Sequence, residues 1–516
     1  MAVSIPSPSG RFFSTSFSSL VHSSSTLTNF RPENMRKYFV RIENNHHVPP
    51  GTPGHGFNGY LDIRVNEKDV LASQSHSVIM LQAAAKLLGQ DPNKIYDLVQ
   101  RDLNNNNPNK DQETGIFGFP AHYDMNGKRV SARNPVAQVS QARNADGAPK
   151  YKLTLQLATL ATKVLFSNST MPGKKPQAIG VEYLKGKSMY RADPRSSKAG
   201  NGQLGRAYAT KDIIISGGTF NSPQLLKLSG VGPKEELAKF GIPLVVDLPG
   251  VGTNLQDNYE IGVISHATTE FISSGPQCTY GQGQDPCFEV WNQTGKGPYV
   301  RGPLDSIMLK TSKARYGERD LFMWGDAGAF RGFWPQGANQ GYANLDPPTT
   351  FGFSMAKMHP SGRLGTVNLR SADPRDVPEI NFRFFEDADG DSDLQAMAEG
   401  IEFGRKVFDS VGAPIGPFVE TDPCAGNRTC DVKDWIRTQA WSHHATSSCA
   451  IGGDNDTMAV LDSRFRVRGV SGLRVVDASS FPRVPGAFPV VPTFIISEKA
   501  SDVILEDARA KQRRTK

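Results

Sequence analysis

The chain has 516 residues and a net charge of +7, from 58 Lys and Arg against 51 Asp and Glu. At roughly 150 residues per domain, this length predicts two or three domains with a large core. Charged residues make up 21% of the chain, and 50 Gly and 35 Pro are too few for a low-complexity protein, so wholesale disorder is excluded. No apolar run reaches the roughly 18 residues typical of a membrane span. The one dense basic cluster lies in residues 511–516, which favours a solvated end over a nucleic-acid-binding arm.

The two ends of the chain differ from the rest. Residues 1–30 are rich in Ser and Thr, contain no acidic residue and have no apolar stretch followed by a cleavage site. They predict a disordered segment or a start that is not native to the fold, with a transit peptide as the alternative. Residues 509–516 predict a basic tail.

Four of the five cysteines form two closely spaced pairs. The pairs are Cys278 with Cys287 and Cys424 with Cys430. Neither pair has a second pair at zinc-site spacing, so loop-closing disulfides are favoured over metal binding, and no metal site is predicted. Cys449 is left over and is predicted to be a buried free thiol.

Four Asn-x-Ser/Thr sequons accompany these cysteine pairs. One sequon can arise by chance, but four sequons beside two loop-closing pairs favour the secretory pathway or an extracellular location. The N-terminus has no clear signal peptide, which leaves the localisation of this chain open. The sequons begin at Asn168, Asn292, Asn427 and Asn455.

The first half of the chain contains several predicted elements. The pattern of residues 78–88 predicts a helix that ends at Gly89. Residues 101–148 are rich in Asn, Gly and Arg and are predicted to be mostly loop. Apolar residues between polar turns predict strands at 153–157, 164–166 and 179–184.

The clearest unit is a strand, turn and helix over residues 212–230. Three isoleucines after Asp212 predict a short buried strand, and a Ser-Gly-Gly-Thr turn follows. Ser222 is predicted to be the N-cap of the helix, with Pro223 at its first position and Gly230 at its end.

A second strand is predicted over 473–477, followed by a Pro-rich turn and a helix over 493–505. Between the two units, apolar residues on one face predict a helix that begins near Ser392 and ends at Gly412. Strand, turn and helix units at both ends of a long middle segment predict an α/β domain interrupted by a second domain. A ligand is then expected at the carboxyl ends of the α/β strands.

Gly200, Gly202 and Gly205 match the spacing of a dinucleotide-binding fingerprint. That fingerprint needs a strand before it and a helix after it, so that a pyrophosphate meets the helix N-terminus. Here a polar turn precedes the glycines and a strand follows them. The glycines are therefore predicted to connect two strands of a hairpin.

Three blocks of sequence carry a family resemblance. Residues 218–232 read GTFNSPQLLKLSGVG and residues 248–257 read LPGVGTNLQD. The region 444–505 contains a His, a Cys-containing turn, GLRVVDAS and a Pro/Gly turn before a helix. Together the blocks resemble the glucose–methanol–choline (GMC) family of flavin oxidoreductases over roughly residues 31–508. The family usually has His after the Asp of the second block, where this chain has Asn258.

The paired histidines and residues 484–504 look most like the fungal branch that includes patulin synthase and versicolorin B synthase. The resemblance implies a mixed α/β fold: a GMC-type FAD/NAD(P)-binding Rossmann-like domain, incomplete at its N-terminus, interleaved with a substrate-binding domain built on an antiparallel sheet with helices. The implied segments are a substrate-side lid over 31–150, FAD-domain parts over 151–258 and 456–508, and the substrate-binding domain over 259–455.

Family members begin with a strand, a Gly-rich loop and a helix that hold the ADP pyrophosphate. Such a unit needs roughly 30 residues, and only the Ser-rich residues 1–30 precede the first matching segment here. The chain is therefore expected to lack this half-domain, through a truncated gene model or genuine loss, and to bind FAD weakly or not at all.

The resemblance also implies a chemistry, the oxidation of an alcohol by hydride transfer to FAD. His444 matches the catalytic base of the family, and a neutral imidazole suits that role. Neighbouring residues of an extended segment point to opposite faces, so His443 is expected to face away from His444. The family residues beside FAD correspond to Ala161, Gly218, Asp477, Ala478, Pro489 and Val490.

One family position departs from the pattern, because Phe488 stands where a second His or Asn is usual. Phe can neither accept a proton nor donate a hydrogen bond to the substrate. A non-redox cyclase or dehydratase on the same scaffold, or an inactive remnant, therefore remain alternatives to an alcohol-oxidising enzyme. The substrate and the oligomeric state are not predicted. Four aromatic residues predict either one wall of the substrate pocket or core packing: Trp324, Phe330, Phe333 and Trp334.

Overall fold

A computed structural model describes residue 30 and residues 32–167, 174–271, 278–279, 283–300, 303–332 and 346–514. The expectation for residues 1–29 and the candidates Asn168, Phe333 and Trp334 lie outside the described residues.

The described elements are mostly short, apart from two long helices near the end of the chain. The α-helices are α1 Pro32–Ile42, α2 Lys68–Ala72, α3 Ser75–Leu87, α4 Ile95–Leu98, α5 Arg133–Gln141, α6 Gly218–Leu228, α7 Lys234–Lys239, α8 Pro286–Thr294, α9 Gly390–Ser410, α10 Val432–Gln439 and α11 Val490–Arg514. The strands are β1 Glu43–Asn45, β2 Leu61–Ile63, β3 Gly115–Phe117, β4 Thr159–Phe166, β5 Ala178–Lys185, β6 Gln203–Tyr208, β7 Ile213–Ile215, β8 Val231–Gly232, β9 Val246–Asp247, β10 Tyr259–His266, β11 Ser306–Leu309, β12 Leu321–Ala327, β13 Thr350–Lys357, β14 Thr366–Asn368, β15 Glu379–Asn381, β16 Val419–Asp422 and β17 Leu473–Val475.

The largest sheet is antiparallel and has six strands in the order β16-β10-β13-β12-β11-β3. Helix α9 packs across β10, β12 and β13, which confirms the helix predicted near Ser392. A Cβ at Gly404 of α9 would lie 2.4 Å from Cγ1 of Val263 on β10. Glycine is therefore required where the helix backbone meets the sheet, because a side chain would force the two apart.

A second core surrounds the predicted strand, turn and helix unit. Strands β7 and β17 pair in parallel, and helices α6 and α11 bury apolar residues beside them, as does α1 near the start of the described chain. Both strands and both helices were expected, although α11 is longer than predicted and begins at Val490. A parallel pair of strands with helices, next to an antiparallel sheet, makes the fold a mixed α/β fold.

A three-stranded antiparallel sheet joins β4, β5 and β6. Gly200 and Gly202 lie in the connection between β5 and β6, while Gly205 lies on β6 itself, so the hairpin prediction is confirmed. The strand predicted at 153–157 is wrong. Its leucines alternate as expected, but they lie exposed and pair with no described strand.

The start of α6 also differs from the prediction. The helix begins at Gly218, so Pro223 lies inside it and Ser222 is not its N-cap. Proline has no backbone N–H, and the carbonyl of Thr219 therefore lacks its helical partner. The hydroxyl of Ser448 donates a hydrogen bond to that carbonyl. A residue distant in sequence thus completes the helix.

Both predicted disulfides are present, Cys278–Cys287 and Cys424–Cys430, and Cys449 is a buried free cysteine. Among the helices of the described ranges, none combines the length and the apolar character that crossing a bilayer requires.

Candidate active site

The two adjacent histidines lie on a short bulge opposite the start of β10. Glu260 pairs with Trp441 and Gln256 pairs with Thr446. Between these two pairs, the first segment has residues 257–259 and the second segment has residues 442–445, so the second segment carries one extra residue. A bulge of this kind breaks the alternation of side chains along a strand.

The expectation that His443 and His444 face opposite sides is therefore wrong. Their ring centroids lie 3.8 Å apart, and both rings contact the same carboxylate, that of Glu260. Nδ1 of His444 is 2.8 Å and Nδ1 of His443 is 3.3 Å from Oε1 of Glu260. The His444 side chain is 4% exposed, whereas that of His443 is 19% exposed. The pair therefore has one inner and one outer imidazole.

Two buried carboxyl groups beside the histidines have opposite pKa shifts. Burial disfavours the charged form of Glu260, but the two imidazoles outweigh burial and lower its pKa to about 2. Burial raises the pKa of Asp257 well above its usual range. Glu260 is thus the anionic partner of the imidazoles, and a neutral Asp257 avoids a second buried charge.

Asp257 fixes the backbone of the histidine segment, residues 441–448. Its Oδ1 accepts hydrogen bonds from the backbone N–H of His444 at 2.8 Å and from the hydroxyl of Ser442. Asn258, at the position where the family usually has His, donates from Nδ2 to the carbonyls of Lys357 and Gly486. The block that contains Asp257 therefore positions both the histidines and the turn before α11.

Phe488 is buried and meets His444 edge to face, with ring centroids 5.0 Å apart. Phe322 and Trp324 pack against Phe488, and Trp324 and Phe330 are buried in the same cluster. The surroundings of His444 are therefore apolar on the side of Phe488. The described half of the predicted aromatic wall is part of a packed cluster.

The predicted cofactor residues Asp477 and Gly218 are linked directly. Oδ2 of Asp477 accepts hydrogen bonds from the Ser222 hydroxyl at 2.6 Å and from the Gly218 N–H at 3.0 Å. The carboxylate of Asp477 is thus used within the protein. The backbone N–H groups of Asp477 and Ala478 donate to no described residue, so two adjacent donors at the end of β17 can hold a ligand oxygen.

The ends of β7 and β17, where Gly218 and Ala478 lie, are close to the histidine segment. The Ser447 N–H donates to the carbonyl of Ala478 at 3.1 Å, and the Thr219 hydroxyl donates to the carbonyl of Ala445 at 2.7 Å. Gly218 has a φ of +82°, and a Cβ placed on it would meet nothing within 4 Å. Open space therefore adjoins the turn after β7.

The remaining candidates lie on two different elements. Pro489 follows Phe488 directly, and its carbonyl accepts a hydrogen bond from the N–H of Thr493 at 2.9 Å, at the start of α11. Val490 is the first residue of that helix. Ala161 is exposed on β4, a strand attached to the far end of α6 through the hydrogen bond from Val164 N–H to the Ser229 hydroxyl. The structure thus gathers these candidates around the histidines except Ala161.

Sequence reasoning missed Glu260 and Asp257 as members of the site. Asp257 belongs to a block that was recognised only as a family match, and Glu260 lies more than 180 residues before the histidines. The available signal was an acidic residue at the start of an otherwise apolar strand, since a buried charge needs a partner.

Comparisons with known proteins agree with this arrangement. Models of the GMC oxidoreductase family match residues 22–260 and 360–497. Human mitochondrial choline dehydrogenase is 30% identical over 413 residues, which are 76% of this chain and 62% of that protein. The oxygen-dependent choline dehydrogenase of Pseudomonas fluorescens is 32% identical over 408 residues, which are 76% of this chain and 65% of that protein. The match therefore spans less than two thirds of either relative.

Solved structures show the same fold at lower identity. A formate oxidase from Aspergillus oryzae superposes with a TM-score of 0.70 at 19% identity, covering 93% of this chain and 79% of that one. A fungal aryl-alcohol oxidase gives a TM-score of 0.65 at 18% identity, covering 95% and 81%. An FAD-dependent oxidoreductase from Chaetomium thermophilum gives 0.65 at 20% identity, covering 92% and 80%. FAD is the cofactor of this family. The two family models and the fold together show that the chain belongs to the GMC oxidoreductase family.

Proposed function

We propose that this chain is an FAD-dependent oxidoreductase that oxidises an alcohol, with His444 as the base. The observation that carries the proposal is the buried His444 ring, held between the Glu260 carboxylate and the Phe488 ring. The choline dehydrogenases and aryl-alcohol oxidase among the similar proteins support an alcohol as the substrate class.

The residues around the β17 end fit FAD. The free donors of Asp477 and Ala478 and the open turn at Gly218 would hold it, with Pro489 and Val490 beside the ring and Ala161 at the adenine edge. FAD, when bound, supplies the acceptor for the hydride that leaves the substrate carbon.

The protein's own residues handle the proton. The contact between Nδ1 of His444 and Glu260 leaves Nε2 as the ring nitrogen that can accept the hydroxyl proton. The ionised Glu260 then stabilises the imidazolium that forms, as a buried carboxylate does beside a catalytic histidine. The hydrogen bond from His444 N–H to Asp257 keeps the backbone, and hence the ring, in place.

A non-redox cyclase or dehydratase is the second candidate, and the observation that favours it is Phe488. The ring of Phe488 is buried against His444 and offers the substrate no hydrogen bond. His444 can act as a base in such a reaction without any hydride transfer.

The finer parts of the proposal rest on the sequence. The paired histidines and residues 484–504 support a role in fungal secondary metabolism, and the two disulfides and the sequons support a secreted glycoprotein. The implied segment boundaries at 150, 258 and 455 are part of the same proposal.

Flavin spectroscopy tests the proposal. The full chain is purified, mixed with FAD and separated from free flavin. The proposal requires a visible flavin absorbance with quenched fluorescence, against the expectation from the resemblance that this chain binds FAD weakly or not at all. Anaerobic addition of primary aliphatic and aryl alcohols should then bleach the flavin. Turnover of an alcohol without bleaching would favour the second candidate, and a chain that never retains FAD would refute the oxidoreductase.

A further inference from the structure

Glu260 is a buried anion whose described contacts include no permanent cation. Its side chain is fully buried, and its Oε2 has no hydrogen-bond partner among the described residues. Its Oε1 contacts the Ser442 hydroxyl at 3.4 Å and the two imidazoles. The Ser442 hydroxyl also contacts the carboxyl group of Asp257, which supplies no positive charge either. A buried carboxylate in such a place is stabilised by any cation that it can coordinate.

The geometry of the three side chains suits a metal ion. Glu260, His443 and His444 each offer one ligand atom, and these atoms all lie within 4.8 Å of one another. The 3.3 Å between Oε1 and Nδ1 of His443 matches the separation of about 3.3 Å between two ligands of one tetrahedral zinc ion. Nδ1 of His444 and Oε1 of Glu260 are 2.8 Å apart, so these two atoms must separate by roughly 0.5 Å to reach that spacing.

The site also leaves room for exchange with solvent. Three protein ligands leave one position of a tetrahedral ion for water. The partial exposure of His443 gives an ion a route from solvent to the buried carboxylate.

We propose that Glu260, His443 and His444 form a binding site for one divalent transition-metal ion of the Zn²⁺ or Cu²⁺ class. Mixed imidazole and carboxylate ligands suit these ions, whereas Mg²⁺ and Ca²⁺ prefer oxygen ligands alone. The inference departs from the sequence-based prediction, which contains no metal site. The ion binds at Nδ1 of His443 and His444, the ring atoms that contact Glu260, and it thereby inhibits His444; only this inhibition rests on the proposed function.

Isothermal titration calorimetry with Zn²⁺ tests the site on the full chain after treatment with a chelator. We expect one ion bound per chain and no comparable binding of Mg²⁺. Glu260→Gln and His443→Ala should each weaken Zn²⁺ binding by at least the roughly 10–100-fold that loss of an outer-shell partner costs. The matched control is His46→Ala, which removes a partly exposed histidine that is paired with one carboxylate, that of Asp62, at 2.6 Å.

The outcomes separate the metal site from the proposed function. No saturable Zn²⁺ binding to the wild type, equal binding to Glu260→Gln in a folded state checked by circular dichroism, or equal binding of Mg²⁺ would overturn the site. Flavin reduction by alcohol is measured separately in chelator. Its failure there refutes the oxidoreductase and not the site, while undiminished reduction at saturating Zn²⁺ overturns the inhibition.

Discussion

Two buried groups in the described part of the chain combine imidazole with carboxylate, and they do so in opposite proportions. In one group, the His55 ring lies between two carboxylates, with Nδ1 3.1 Å from Glu43 and Nε2 2.9 Å from Asp102. In the other, the Glu260 carboxylate lies between two imidazoles. Both ring nitrogens of His55 lie beside carboxylates, whereas the contact of His444 with Glu260 is made through Nδ1.

The ratio of carboxylates to imidazoles decides which side chain carries the charge in each group. Burial alone would lower the pKa of His55, but its two acidic partners outweigh burial and raise it to about 9. His55 is therefore a fixed cation near neutral pH, and its role is structural. At Glu260 the charge rests on the carboxylate, so His444 can accept a proton. Predictions for the two groups differ accordingly.

The largest expected effect is on chemistry at His444. His444→Ala should slow anaerobic flavin reduction by an alcohol roughly 10²–10⁴-fold, the usual contribution of a general base. Stopped-flow absorbance measures it, and flavin content is the control for folding. Reduction at the wild-type rate would remove His444 from the mechanism.

The matching change in the other group should affect stability instead. His55→Ala leaves Glu43 and Asp102 buried or partly buried without their cation, which should cost about 3–5 kcal/mol in the free energy of unfolding by urea. The folded fraction should reduce flavin at the wild-type rate. An unchanged unfolding midpoint would show that His55 does not stabilise the fold, and the contrast between the two groups would fail.

The pH dependence of stability sharpens the contrast. The folded state raises the pKa of His55 from 6.5 to about 9, so the stabilisation is complete below pH 6.5 and is lost as the pH rises to 9. A fall of about 3 kcal/mol over this window is expected from urea unfolding at fixed salt. His55→Asn should remove this fall, and His46→Ala should keep it. A wild-type curve that stays flat would show that His55 is not the titrating group.

The smallest effect is expected at the outer imidazole. His443 is more exposed than His444 and lies farther from Glu260, so His443→Ala should slow flavin reduction by less than about tenfold, short of the contribution of a general base. The same stopped-flow assay measures this. A loss as large as that of His444→Ala would mean that the two rings act as one unit.

The sequence predicted the local elements of this fold better than its long-range contacts. The strand at 212–215, helix α9 and both disulfides follow from neighbouring residues, and the structure contains them. The strand at 153–157 had the right alternation, but pairing depends on a partner that a local pattern does not reveal. The orientation of His443 was wrong because a bulge depends on the register of two distant segments.

The site was predicted in part for the same reason. His444, Asp477 and Gly218 lie in recognisable blocks, whereas Glu260 lies in a strand that looked unremarkable. The carboxylate and its imidazoles meet only because Trp441 pairs with Glu260 across the sheet edge. Motifs therefore located the proposed base, and the structure located the carboxylate that contacts it.

The proline within α6 has a consequence for how the chain is made. Thr219 and Ser448 are 229 residues apart, so a growing chain synthesises the helix long before the hydroxyl that completes it. Until then, the Thr219 carbonyl depends on water, and any product that ends before Ser448 keeps that defect. In helix α6, the Thr219 carbonyl is therefore satisfied by the protein only after the histidine segment has been synthesised and has packed against the helix, because Ser448 supplies the missing donor.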